Sequence, residues 1–70
     1  SNLNADDEKL FFKLVRDAFC QKRKTLKNNL KSYNLDKINE TLKKHNKDIT
    51  FRAENITMEE FIDISNNLSK

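Results

Sequence analysis

Seventy residues with a formal charge of +3, no glycine, no proline and one cysteine make one small domain, and a chain of this size buries only about 60% of its unfolded surface. Without glycine there is no glycine-built phosphate loop, and the lone cysteine excludes an internal disulfide and suits a reducing compartment. No apolar run approaches the roughly 20 residues that span a bilayer and no signal-peptide pattern opens the chain, so a soluble, cytoplasmic domain without membrane contact is expected.

Apolar and charged residues each make up 36% of the chain. The apolar ones recur periodically, which argues for a folded chain. Residues 1–9 read as a frayed N-terminal segment in which Ser1-Asn2 resembles an expression remnant, and the helical domain is expected over 10–70. Asp6-Asp7-Glu8 places acids where the positive end of a helix dipole favours them. At 100° per residue, Leu10, Phe11, Phe12, Leu14, Val15, Ala18 and Phe19 then cover an arc of roughly 200°. A stripe that wide predicts the central helix of a small bundle, touched on two sides, with Phe12 at its edge left to face a further domain.

The apolar pattern breaks from Cys20 to Arg23, which predicts a turn. Leu26 and Leu30, four apart, predict a second helix from about Lys24 to Lys31. On that helix Arg23, Lys24, Lys27 and Lys31 would form a continuous stripe beside the leucines. Asn34 reads as the N-cap of a third helix, with Asp36 in its first turn, Leu35, Ile38 and Leu42 as its apolar face, and Lys43-Lys44 near its negative pole. Asn46 suits the left-handed conformation that glycine would otherwise supply. Ile49 and Phe51 are expected to plug the core from an extended segment, followed by a single helical turn near Arg52. Thr57 and Glu60 have the spacing of a capping box. Met58, Phe61, Ile64 and Leu68, with Ile62 at the margin, supply the core face of the last helix. The expected fold class is all-α, a small orthogonal bundle of four helices plus a short helical turn.

Candidate chemistry is sparse. His45 and Cys20 are the only soft ligands, too few for a zinc site. His45 reads as a solvated helix-end residue and Cys20 as a small buried or half-buried hydrophobe. Glu59 and Glu60 belong to a cap. No catalytic, cofactor-binding or metal-binding residue is assigned. Arg52 and Glu54 read as a turn-stabilising ion pair or as bonds to helix-end carbonyls, and Arg16 as a partner of Asp17 or of a distant carboxylate.

The basic run is the informative feature. From Lys9 to Lys31 eight basic residues face one acid, Asp17, a local charge of +7. Clustered Lys and Arg suit a phosphodiester backbone, because binding it releases condensed counterions. The run lacks the acids that would form i,i+4 pairs on a merely solubilising helix, and Thr25 and Asn28 add neutral donors. Nucleic-acid contact is the favoured reading; a solvated face, an anionic membrane or an acidic protein are the alternatives.

The string Phe11-Phe12-x-Leu14-Val15-Arg16-x-Ala18-Phe19-x-Gln21-x-Arg23-Lys24-Thr25-Leu26-x-Asn28-Asn29-Leu30, with Arg52-Ala53-Glu54-x-Ile56-Thr57-x-Glu59-Glu60-Phe61 further on, resembles the C-terminal domain of the KsgA family. These are the 16S rRNA adenine N6-dimethyltransferases. The resemblance runs from Leu10 to Leu68. It departs at Lys22 and Lys27, where arginine is common, and near Asn46-Lys47, where a glycine is often found. It implies a longer parent enzyme that transfers methyl groups from S-adenosylmethionine to adjacent adenines of 16S rRNA, with cofactor loop and catalytic motif in an N-terminal domain. This chain would be the accessory domain that docks on the small ribosomal subunit and against that catalytic domain, and would be monomeric. Arg23, Lys24 and Lys27 are then the expected phosphate contacts, with Lys22, Asn28 and Lys31 as lesser ones. A 23S rRNA methyltransferase domain, a DNA-binding helix-turn-helix and a protein-interaction module are the rival readings.

Overall fold

The computed structural model describes residues 7–70. Of the frayed segment expected over 1–9, residues 1–6, with the Ser1-Asn2 remnant and Asp6, lie outside the described residues, whereas Asp7 caps the first helix and Glu8 and Lys9 already belong to it. Four α-helices follow one another: α1 (Glu8–Ala18), α2 (Leu26–Asn29), α3 (Leu35–Lys43) and α4 (Met58–Ser69), with a 3₁₀ turn at Ala53–Asn55 before α4. The all-α class expected from the sequence is the class observed.

Local chemistry sets the helix ends. The Asp7 side chain caps α1 by accepting from the Leu10 N–H at 3.1 Å, and Asn34 caps α3 by accepting from the Lys37 N–H at 3.2 Å. Thr57 and Glu60 form the full capping box at the start of α4: the Glu60 N–H donates to Thr57 Oγ1 at 3.2 Å, and the Thr57 N–H donates to Glu60 Oε1 at 2.8 Å. After α3 the chain reverses at Asn46, whose φ of 61° is left-handed. The Lys47 N–H returns to the Leu42 carbonyl at 2.9 Å and the Asn46 N–H to Lys43 at 3.1 Å. These two bonds are a Schellman closure, with asparagine in the place usually held by glycine.

The core holds Phe11, Leu14 and Ala18 from α1, Leu26 and Leu30 from and after α2, Ile38 and Leu42 from α3, Ala53 and Ile56 around the 3₁₀ turn, and Phe61 and Ile64 from α4. Burying each large side chain contributes on the order of 1.5–3 kcal/mol. The central helix is α4, which packs against both α3 and α1. The wide stripe on α1 pointed to α1 instead; α1 is touched on two sides, by α4 and by α2, but the more extensive helix contacts are those of α4. Only Phe11, Leu14 and Ala18, three and four residues apart, are buried on α1, while Phe12 and Phe19 stay exposed and Val15 half-buried. Met58 is likewise exposed rather than core, because it starts α4 just beyond the packed face.

Polar bonds tie α3 to α4. The Asn67 side-chain amide donates to Thr41 Oγ1 at 3.0 Å and to the Lys37 carbonyl at 3.1 Å. The Lys47 ammonium, sequence-adjacent to the Asn46 reversal, donates to Glu60 Oε1 at 2.7 Å and to the Asn55 carbonyl at 2.8 Å. Glu60 is 6% exposed. Burial pushes its carboxyl up, yet Lys47 and the Thr57 N–H and hydroxyl together outweigh that and hold it below the usual glutamate range. His45 is half-buried, not solvated: its Nε2 lies 2.9 Å from Asp63 Oδ2 and its Nδ1 3.7 Å from Glu60 Oε2, because the end of α3 abuts α4. Cys20 is exposed, the reverse of expectation, since the chain has already left α1 at that point.

Candidate nucleic-acid interface

The basic run does not lie on a helix of its own. The expected helix from Lys24 to Lys31 is the four-residue α2, so of the expected contact residues only Lys27 and Asn28 are helical. Lys22, Arg23 and Lys24 occupy the turn before it and Lys31 the turn after it. The likeness of Leu26 and Leu30 to a helical pair is real, and both are fully buried. The chain simply turns again once Leu30 has been seated.

What fixes this loop is a side chain that charge counting passes over. The Asn29 amide donates to the Ala18 carbonyl and to the Gln21 carbonyl, each at 2.9 Å. It thereby joins the end of α1 and the middle of the turn to α2. The Lys24 N–H closes on the Gln21 carbonyl at 3.0 Å. From the other side, the segment around Ile49 to Phe51 is held against the start of α2: the Leu26 N–H donates to the Phe51 carbonyl and the Lys27 N–H to the Ile49 carbonyl, both at 2.9 Å. Ile49 and Phe51 are half-buried against the core, as their expected role as plugs requires, but they plug it from a turn closed by the Phe51 N–H on the Asp48 carbonyl at 3.1 Å and not from an extended segment. Their carbonyls also occupy the first two donors of α2, so those two N–H groups are not open to an anion.

Lys22, Arg23, Lys24, Lys27, Asn28 and Lys31 are all exposed. Among the described residues none of these five cations forms an ion pair; the pairs present are Arg16 with Asp17, Lys47 with Glu60, and His45 with Glu60 and Asp63. The Asn28 amide reaches only Thr25 Oγ1, at 3.5 Å. Arg16 lies 3.8 Å from Asp17, with its side chain largely open to solvent. Asp17 is more firmly engaged by the Tyr33 hydroxyl, which donates to it at 2.6 Å. Burial first, and then this bond to a carboxylate, push the Tyr33 phenol well above the ordinary tyrosine value. The expected Arg52–Glu54 ion pair does not form among the described residues; both side chains are exposed on either side of buried Ala53.

No group of three His, Cys, Asp or Glu among the described residues could hold a metal ion, and no helix there is long and apolar enough to cross a membrane. The site is thus a small helical domain bearing a rim of cations that form no ion pair among the described residues. The chain belongs to the ribosomal RNA adenine dimethylase family, whose model matches residues 1–70. It is 46% identical to a ribosomal RNA small subunit methyltransferase A of Cytophaga hutchinsonii, over 90% of this chain and 23% of that protein. With the proteins of the same name from Flavobacterium johnsoniae and Alkaliphilus oremlandii it shares 52% identity (79% of this chain, 20% of that one) and 40% identity (97% and 25%). The chain therefore spans about a quarter or less of the curated relatives it matches. No solved structure matches it.

Proposed function

We propose that this chain is the accessory docking domain of an S-adenosylmethionine-dependent rRNA adenine dimethyltransferase, and that it binds 16S rRNA in the small ribosomal subunit. Arg23, Lys24 and Lys27 contact phosphates, with Lys22, Asn28 and Lys31 contributing less. The cofactor and the methyl-transfer chemistry belong to a separate catalytic domain of a longer parent chain, against which this domain rests as part of one cytoplasmic monomer.

One observation carries the reading: five cations without carboxylate partners among the described residues lie on α2 and the turns on either side of it, a stretch that Asn29 and the 49–51 segment hold in place. With the backbone of this stretch already held, only the exposed side chains have to be ordered on a phosphate chain, so more of the attraction is expressed as affinity. Lysine at 22 and 27 gives point charges rather than planar forks, which suits backbone positioning over base reading.

The test is RNA binding as a function of salt. Replacing Arg23, Lys24 and Lys27 together by Ala should weaken binding to 16S rRNA fragments. It should also flatten the log–log salt slope by about 2, at about 0.7 for each single-strand phosphate that is no longer neutralised. Helical circular dichroism should be retained. Unchanged affinity and slope would reduce the rim to a solvated surface.

A further inference from the structure

Beside the basic turn lies a hollow of about 280 Å³ lined by Ala18, Phe19, Lys22, Ala53 and Glu54. It joins the end of α1 to the 3₁₀ turn, two segments more than thirty residues apart in sequence. Its volume falls below the roughly 300–1,000 Å³ of sites for drug-sized ligands. A single nucleobase suits it better than a whole nucleoside cofactor does. Ala18 and Ala53, both buried, present nothing beyond a Cβ. Phe19 packs against Phe61 with ring centroids 6.1 Å apart and remains 40% exposed, so its ring is supported by the core yet open.

Glu54 is the telling residue. It is exposed and pairs with no cation among the described residues. A carboxylate beside Lys22 opposes phosphate binding, so the rim's affinity for a backbone does not explain it. A carboxylate does accept from the N–H groups of an uncharged base.

We propose that this hollow receives one unpaired guanine of the bound RNA. The base stacks on Phe19, its adjacent N1–H and N2–H donate to the Glu54 carboxylate, and its O6 accepts from the Lys22 ammonium. Unpaired bases are commonly recognised in this way, by an aromatic face and hydrogen bonds to the Watson–Crick edge. Adenine offers only one donor on that edge, and uracil sets its single donor between two acceptors that a carboxylate repels. Because Lys22 also opens the basic run, the same strand can lay its next phosphates along Arg23 and Lys24. The inference rests on the RNA-docking reading above and adds a base-selective contact to it.

The test uses the full 70-residue chain and labelled RNA hexamers in fluorescence anisotropy: all-uridine, and otherwise identical strands with one central guanosine, adenosine or inosine. Guanosine should raise affinity several-fold over uridine, with inosine, which lacks the N2 amine, in between. Glu54→Gln should erase the guanosine preference while leaving the salt slope intact. Phe19→Leu should weaken the guanosine strand by roughly tenfold, as the loss of one stacked base implies, and the all-uridine strand by less. Since Phe19 touches Phe61, its helical circular dichroism is checked alongside, and the exposed Glu54→Gln variant decides the matter if that fold is damaged. Salt-dependent binding indifferent to the central base would overturn the hollow and leave phosphate docking standing. A preference for adenosine would overturn the assignment of guanine. Absence of salt-dependent RNA binding would overturn both readings.

Discussion

Asn29 does at the residue scale what the cations cannot do for themselves. Its two amide hydrogens hold two carbonyls that would otherwise be left loose at the end of α1 and in the following turn. Asn29→Ala removes no charge, so it separates geometry from electrostatics. It should cost about 1–3 kcal/mol of stability, the range for leaving polar groups unsatisfied, as read from urea unfolding. It should also weaken RNA binding at constant salt slope. A variant that binds RNA as tightly as the parent would show that the clamp is irrelevant to the rim. Glu60 is the second residue of this kind. Its carboxyl lies below the usual glutamate range in the folded chain, so it stabilises the fold above the unfolded-state value. That stabilisation is lost as pH falls through the folded value, in the window below about 4.5. Lys47→Met removes the main partner of Glu60 and moves its folded value upward. Acid unfolding, followed by circular dichroism, should then begin at a higher pH than in the parent. An unmoved acid transition would mean that the Lys47–Glu60 pair, 2.7 Å apart, carries no weight.

At the scale of elements, α1 buries a narrower face than its sequence suggests, and this ranks its side chains. Leu14 is fully buried, whereas Phe19 is 40% exposed. Leu14→Ala should therefore cost about 2–5 kcal/mol, and Phe19→Ala distinctly less, because part of its surface is never removed from water. Thermal melts of the two variants test the order; equal losses would place Phe19 in the core after all. The short α2 is a different case. Four residues cannot sustain a helix by their own hydrogen bonds. It persists because Leu26 and Leu30 are buried and because the Phe51 and Ile49 carbonyls accept from its first two N–H groups. The cations of the rim thus depend on a segment some twenty-five residues away.

For the whole molecule, a domain this small is held by a modest margin, and a single core truncation removes a large part of it. If the chemistry is carried elsewhere in a longer parent, as proposed, calorimetry with S-adenosylmethionine should give no measurable binding to this chain. Measurable affinity would overturn that division of labour.

Much of this was legible in the sequence, because it depends on contacts between near neighbours. The caps at Asn34 and Thr57 follow from side chains acting on backbone a few residues away, the left-handed Asn46 from a residue type that tolerates that conformation, and the turn after α1 from the break in the apolar pattern. The clustering of cations is a matter of order along the chain and needs no coordinates. Family likeness was readable from the blocks at 11–30 and 52–61. Tertiary structure alone decided which helix is central, since the apolar residues of α1 outnumber the surfaces available to cover them. It decided that α2 is only four residues long and leaves Lys24 and Lys31 in the turns on either side of it, because the 49–51 segment and Asn29 fix where α2 begins and stops. It also brought Phe19 beside Glu54, and turned His45 from solvent toward Glu60 and Asp63. Periodicity reports which face is apolar; only packing, which is long-range and limited by area, determines how much of that face is covered and by what.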